Sequence, residues 1–496
     1  MNMEWGWDNG RAILGLFVIT GIAWLLSENK RKFPWKITLG AVVMMYIITL
    51  LLFGIPLIRS GLDSINSGIN VLIAATREGT AFVFGPVIGD QAKWEQLVGS
   101  PGPIFIFQLL PLIIVIGSLS AILWHWGVLK VITNGFAFVF QRTMGMGGPT
   151  SLSVAANIFM GQTEAPLLIK PYLKVMTRSE LLIVMTTGFA TIAGSVLVVY
   201  VTLMRDVLPS VAAHLITVSF IASPAAVALA MIMIPETQET SKSSGETDFK
   251  YHSTMDAFSS GATDGIAIIW NIATMLIAAL ALVYITNALL GAIPITVPVD
   301  GMQKPISLDI LLGWLFAPLM YMAGVPWNEA VKAGSFIGQK TVFTEFVAFI
   351  NLGNMPAGEM TERTRTIVTY AICGFANFGS MGILIGGLSI MAPERRPDFL
   401  SLAWKTLYAG TLATIMAAAV VASLPYGLFK TADEPVPPAA APAAVATTPA
   451  EVIPAPALPP PAATDATSPP AAPSNPITTP APAPESAPAT PTGQTP

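Results

Sequence analysis

The sequence predicts an all-α polytopic membrane protein with about eight transmembrane helices, two re-entrant helical hairpins in inverted repeats, and interfacial helices. Three observations carry that expectation. Of 496 residues, 53% are hydrophobic and 11% charged, with a mean hydropathy of +0.65, which is far too apolar for a soluble chain of this size. Apolar segments long enough to cross hydrocarbon, which takes about 20 residues, recur along the chain. Two further apolar stretches are interrupted by Gly, Pro and polar residues, and they share short motifs.

The spans fall near 10–27, 37–58, 104–127, 180–204, 211–234, 265–291, 365–392 and 406–428. The first apolar run, "AILGLFVITGIAWLL", follows Glu4 and Asp8 and precedes "ENKRK". A secretory signal carries its positive charge in front, so this run reads as a retained span. Lys and Arg accumulate in short cytoplasmic loops. Lys30, Arg31, Lys32 and Lys36, then Lys130, Arg142, Lys170, Lys174 and Arg178, then Arg395, Arg396 and Lys405 all fall on one side when eight spans are counted. Both termini are then placed on the non-cytoplasmic side of a cytoplasmic (inner) membrane.

Between the second and third spans, "LDSINSGINVLIAATREG" puts Leu62, Ile65, Ile69, Leu72 and Ile73 on one helical face, the pattern of a helix lying in the interface. The chain therefore divides into a scaffold over 1–103, a first repeat over 104–262 with a hairpin at 149–174, and a second repeat over 263–430 with a hairpin at 308–349. Residues 431–496 are rich in Pro, Ala and Thr, with no Lys or Arg after Lys430, and a disordered tail is expected there.

The two hairpin regions echo one another. "IFMGQT" (158–163) matches "SFIGQK" (335–340), and downstream "GFATIAGS" (188–195) matches "GFANFGS" (374–380) in the same order. By the charge count, the span holding the first "GFA" runs outward and that holding the second runs inward, so the repeats are inverted. Inverted repeats with interrupted helices place a solute site between them at the bilayer midplane. A helical run from 150 to 160 rises about 16 Å, half the hydrocarbon thickness, so the "GQTEAP" tip arrives near the centre. Backbone that leaves the helix at that depth must be buried in protein or line a wet cavity. Pro166 suits the first turn of a returning half-helix, where a missing N–H costs nothing.

Intramembrane carboxylates are expensive, which singles out Glu164 and Glu345. Around them, Gln162 and Asn377 offer amides, Thr163 and Ser380 hydroxyls, and Phe375 and Val196 flat and aliphatic walls. Neither tip carries an Arg fork, which argues against a carboxylate or phosphate solute. A neutral, polyhydroxylated, partly aromatic molecule fits better. A net charge of -4 suggests no affinity for nucleic acid. The single Cys373 forms neither an intrachain disulfide nor a multi-cysteine metal site, and His125, His214 and His252 are scattered. Gly-x-Ser-x-Gly and His-Glu-x-x-His are both absent, so no enzyme is expected.

"ANIFMGQTEAPLLIKPYL", "AGSFIGQKTVFTEFVAF", "CGFANFGSMGILIGG" and "MAPERR" resemble the concentrative nucleoside transporter family over roughly residues 10–430, with order and spacing intact. The resemblance implies a homotrimer, each protomer a scaffold around a mobile domain built from two hairpins and two broken helices. It implies nucleoside import driven by a cation gradient. Carried over by motif, Gln162, Thr163 and Glu164 are implied to meet the nucleobase, and Glu345, Asn377 and Ser380 the ribose, with Phe375 and Val196 lining the pocket. A sodium site is implied at Asn157, the Met160 carbonyl, Thr191, Ile192 and Ser195, whose hard oxygens suit a small hard cation. Sodium or a proton is the coupling ion; no cofactor is expected. Asn157, which proton-driven relatives tend to lack, favours sodium. A nucleoside-gated channel or sensor is the alternative from another class. Thr344 stands where many members carry Asn, a departure that bears on base preference.

Overall fold

The computed structural model describes residues 5–85, 91–98, 104–205, 207–208, 210–240, 250–299, 302–356 and 358–429. Residues 430–496, which hold the expected tail, lie outside the described residues. The described chain is helical apart from a two-stranded antiparallel ribbon, β1 (Thr296–Val299) with β2 (Met302–Pro305), in which Thr296 faces Pro305.

The first helices are α1 (Trp7–Leu25), α2 (Trp35–Gly54), α3 (Pro56–Phe84) and α4 (Gln91–Val98). Polar residues at the start of α1 tie it to the protein. Asn9 donates to the carbonyls of Ala422 (2.9 Å) and Leu424 (2.7 Å), and Arg11 donates to those of Tyr321 (2.8 Å) and Val325 (2.9 Å). The expected interfacial helix lies within α3, whose buried edge is Leu62, Ile69, Thr76 and Thr80; Ile65 is exposed and Leu72 and Ile73 are half-buried. Then come α5 (Phe105–Gln108), α6 (Leu112–His125) and α7 (Val128–Met144).

The first interrupted stretch is α8 (Gly148–Ala156), an irregular turn through 157–163, and a short return, α9 (Glu164–Leu167). Next is a helix broken at Thr191–Ala193 into α10 (Arg178–Ala190) and α11 (Gly194–Met204). "TRSE" starts α10 with a reciprocal cap: the Thr177 hydroxyl accepts from the Glu180 N–H (3.1 Å), and the Glu180 carboxylate accepts from the Thr177 N–H (3.0 Å). The long helices α12 (Val211–Met233) and α13 (Thr254–Gly291) follow.

The second interrupted stretch reverses twice. The helix α14 (Leu308–Met322) bends by 118° into α15 (Trp327–Val342), and the chain turns again at 343–344 into α16 (Glu345–Gly353). The expected single hairpin over 308–349 is thus a three-helix segment with the second tip at Thr344. "SFIGQK" sits inside α15, whereas "IFMGQT" forms the first tip; the helix runs on to Val342 because the next N-cap, Thr344, comes later. A second broken helix, α17 (Glu362–Ile372) and α18 (Phe378–Met391), parts at Cys373–Asn377, and α19 (Arg396–Ser423) closes the described chain.

Among the described residues, six stretches are long and apolar enough to cross a bilayer: Trp35–Gly54, Phe105–His125, Arg178–Met204, Val211–Met233, Thr254–Gly291 and Pro393–Ser423. The other two of the eight expected crossings fall on α1, which carries Asp8 and Arg11, and on the broken pair α17 and α18. Burial sorts the helices. The apolar stretches of α10 with α11 and of α19 are 94% buried, while that of α13 is 6% buried, so the first lie in the core and α13 lies at its edge.

Two close approaches set the frame. A Cβ on Gly374 would lie 2.8 Å from the Phe189 carbonyl oxygen and 2.9 Å from that of Ala190, so the two helix breaks abut there. A Cβ on Gly261 of α13 would lie 2.4 Å from the Gly117 carbonyl oxygen of α6, the small-residue contact that lets membrane helices touch backbone to backbone.

Candidate functional site

Four chain interruptions converge: the 157–163 turn, the tip at Thr344, and the breaks at Thr191–Ala193 and Cys373–Asn377. Their polar caps explain the local folding. Thr344 caps α16 by accepting from the Val347 N–H (3.4 Å), and Asn377 caps α18 by accepting from the Ser380 N–H (2.7 Å). At the first tip the Glu164 carboxylate reaches back to the Gly161 N–H (3.1 Å) and closes the turn.

Between these elements lies a cavity of about 840 Å³ including its open mouth. All eight residues expected at the solute site line it: Gln162, Thr163, Glu164, Val196, Glu345, Phe375, Asn377 and Ser380. Glu345 is its buried anchor. One carboxylate oxygen accepts from the Tyr200 hydroxyl and the other from the Asn377 amide, each at 2.8 Å. Each oxygen keeps a lone pair for a further donor. Lys340, fully buried nearby, donates to the Thr414 hydroxyl at 3.0 Å rather than to Glu345. Gln162 lines the cavity but is itself buried, and its side-chain oxygen has no hydrogen-bond partner among the described residues. The site is therefore a half-apolar pocket with amide, hydroxyl and carboxylate groups set to read a neutral, hydrogen-bonding solute.

Comparison with known proteins gives the chemistry a lineage. Residues 14–87 and 214–422 match the profiles described as the N- and C-terminus of the Na+ dependent nucleoside transporter, and 106–207 match a "nucleoside recognition" gate domain. The nucleoside permease NupC of Helicobacter pylori is 35% identical over 413 residues, covering 82% of this chain and 96% of the permease. An uncharacterized transporter of Bacillus subtilis, YutK, is 36% identical over 433 residues, covering 85% of this chain and 99% of that one. The structure resembles CNTnw in an inward-facing substrate-bound state, with a TM-score of 0.75 and 36% identity over 83% of this chain and 98% of that chain.

The chain belongs to the concentrative nucleoside transporter family. It is a multi-pass membrane transporter and not an enzyme.

In this concentrative nucleoside transporter the residues expected to hold sodium lie behind the first tip. Asn157 is fully buried; its amide donates to the Ser153 carbonyl (3.1 Å), while its side-chain oxygen has no partner. A Cβ on Gly188 would lie 3.6 Å from that oxygen, so Asn157 faces the last turn of α10. The Thr191 hydroxyl donates to the Thr187 carbonyl (2.9 Å) and keeps its lone pairs. Ile192 and Ser195 are buried, Met160 is half-buried, and the Gly194 N–H donates to the Phe159 carbonyl (3.1 Å), which fixes the tip against the break. Among the described residues no group of three or more His, Cys, Asp or Glu converges on a metal position.

Sequence reasoning missed three participants. Tyr200 orients Glu345 from α11, and Asn271 and Met275 reach the cavity from α13. Asn271, inside the apolar "IIWNIATM", carried a legible signal as an amide in a spanning helix. Conversely Gln339, the counterpart of Gln162 in the repeat, is taken up within its own segment, donating to Asp309 (3.0 Å) and accepting from Asn351 (2.9 Å).

Proposed function

We propose that this transporter imports nucleosides across the cytoplasmic membrane, coupled to a cation gradient with sodium as the coupling ion. The nucleobase meets Gln162, Thr163 and Glu164 at the first tip, and the sugar hydroxyls donate to Glu345 beside Asn377 and Ser380. The carrying observation is that one cavity gathers all eight of these side chains, with Glu345 held by two donors and still able to accept more. Val196 and Phe375 supply the apolar walls.

Sodium enters as a co-substrate. A buried amide oxygen without a partner is costly unless a ligand satisfies it, and the Asn157 oxygen supports a hard cation there, with the Met160, Thr191, Ile192 and Ser195 oxygens completing the set. Alternating access follows from moving the hairpins and broken helices against α6 and α13. The largely uncovered α13 fits contact with copies of the chain in a homotrimer, and the charge pattern favours both termini on the non-cytoplasmic side.

Uridine uptake into proteoliposomes tests the reading. Accumulation above the external concentration under an inward sodium gradient, and not under a proton gradient, is expected. Accumulation with protons alone moves the coupling to the proton, and equilibration without accumulation makes the protein a channel.

A further inference from the structure

A second cavity, about 710 Å³ including its mouth, lies on the other side of the Glu164 tip. The two cavities share Glu164 and Ile268, and they are stacked along α13: residues 261–268 line the second, and 268–276 the first. Gly261 holds α13 against α6, so the cavity-facing stripe is Asp264, Ile268, Asn271 and Met275, at helical spacing. Asp264 and Asn271 are thus polar rungs, one in each cavity, seven residues or about 10 Å apart. Asp264 stands just ahead of the apolar stretch expected at 265–291 and makes no hydrogen bond or ion pair among the described residues, so its carboxylate is free to accept from a solute in this cavity.

The rest of the second cavity is built like a solute site. Trp124, Phe159, Leu129 and Leu168 give it an apolar wall. Ser195 is 7% exposed, lines it, and its hydroxyl has no partner among the described residues. A hydroxyl that ligates a cation through a lone pair still donates its proton.

We propose that this cavity is a second station for the nucleoside, in which the Asp264 carboxylate takes over the sugar hydroxyls as the solute leaves Glu345. The inference rests on the nucleoside-transport reading. It assigns Asp264 a contact with the moving solute and none with the solute resting in the first cavity.

The test uses the full chain carrying Asp264→Asn or Asp264→Leu, with uridine and 2′,3′-dideoxyuridine as probes. Asp264 is exposed to the cavity, so both variants keep the fold, which thermal melting of the purified protein checks. Calorimetric binding of uridine is expected to stay within about twofold of wild type, since the first cavity is intact. The maximal uptake rate for uridine falls about tenfold in Asp264→Leu and less in Asp264→Asn, while that for dideoxyuridine falls less than about twofold, as loss of one charged hydrogen bond requires. Unchanged uridine uptake overturns the station, and so does an equal fall for both nucleosides. A wild type that accumulates no nucleoside overturns the transport reading itself, an outcome distinct from normal wild-type uptake with unaffected variants.

Discussion

The Tyr200 hydroxyl donates to the Glu345 carboxylate at 2.8 Å across the contact between α11 and α16. Both residues are buried, and the Tyr200 ring stacks on Phe349 with centroids 4.3 Å apart, so the phenol is fixed before any solute arrives. A hydrogen bond to a charged group contributes about 1.5–3 kcal/mol. Tyr200→Phe keeps the ring and removes the donor. The apparent KM for uridine is expected to rise by about tenfold or more, with expression and melting temperature near wild type. A KM that does not move shows that Tyr200 leaves the Glu345 orientation alone.

Glu345→Gln is more severe. Its two carboxylate oxygens accept from Tyr200 and Asn377, and an amide presents N–H groups to one of those positions, so donor faces donor. Uptake is expected to drop by about two orders of magnitude or more while the protein inserts and elutes as wild type in size-exclusion chromatography. Full transport by this variant takes Glu345 out of the site.

The abutting helix breaks make a stability prediction. At Gly374 a Cβ would come within 2.8 Å of the Phe189 carbonyl oxygen, 2.9 Å of the Ala190 carbonyl oxygen and 2.9 Å of the Thr414 methyl carbon. Backbone on one side cannot rotate away as a side chain does, so Gly374→Ala is expected to cost about 1–3 kcal/mol. Gly382→Ala is the control, since nothing lies within 4 Å of its added carbon. Thermal melts in detergent should show Gly374→Ala several degrees below Gly382→Ala, and coincident melts would mean that the breaks do not touch.

How much of this was legible depended on whether a residue's role is local. Glu164, Glu345, Asn377 and their neighbours announced themselves because polar groups at helix interruptions are expensive in hydrocarbon, and they share one cavity. The double reversal over 308–353 was not legible, because a Gly, Pro or polar residue marks a weak point without saying whether the chain bends or stops there. "GQ" forms a tip at 161–162 and a helix interior at 338–339, a difference set by where the next cap lies rather than by the dipeptide. Tyr200 and Asp264 were hidden for another reason. Which side of a spanning helix faces a cavity is fixed by tertiary contacts such as Gly261 against Gly117, and these carry no local pattern.

The cation prediction turns on Asn157. It is fully buried, its amide is engaged with Ser153, and its side-chain oxygen has no partner. Without a ligand, that oxygen carries a desolvation penalty of about 1–3 kcal/mol, which a bound cation removes. Asn157→Ala deletes the oxygen and the penalty together, so the apo protein is expected to melt at or near the wild-type temperature. Sodium should lose its hold: the concentration giving half-maximal uridine uptake rises by about tenfold or more, while uptake at saturating sodium keeps the same nucleoside preference. Melting measured against sodium concentration gives an independent reading, because a cation that binds only the folded protein raises its stability. A sodium dependence identical to wild type in both assays places the coupling ion elsewhere.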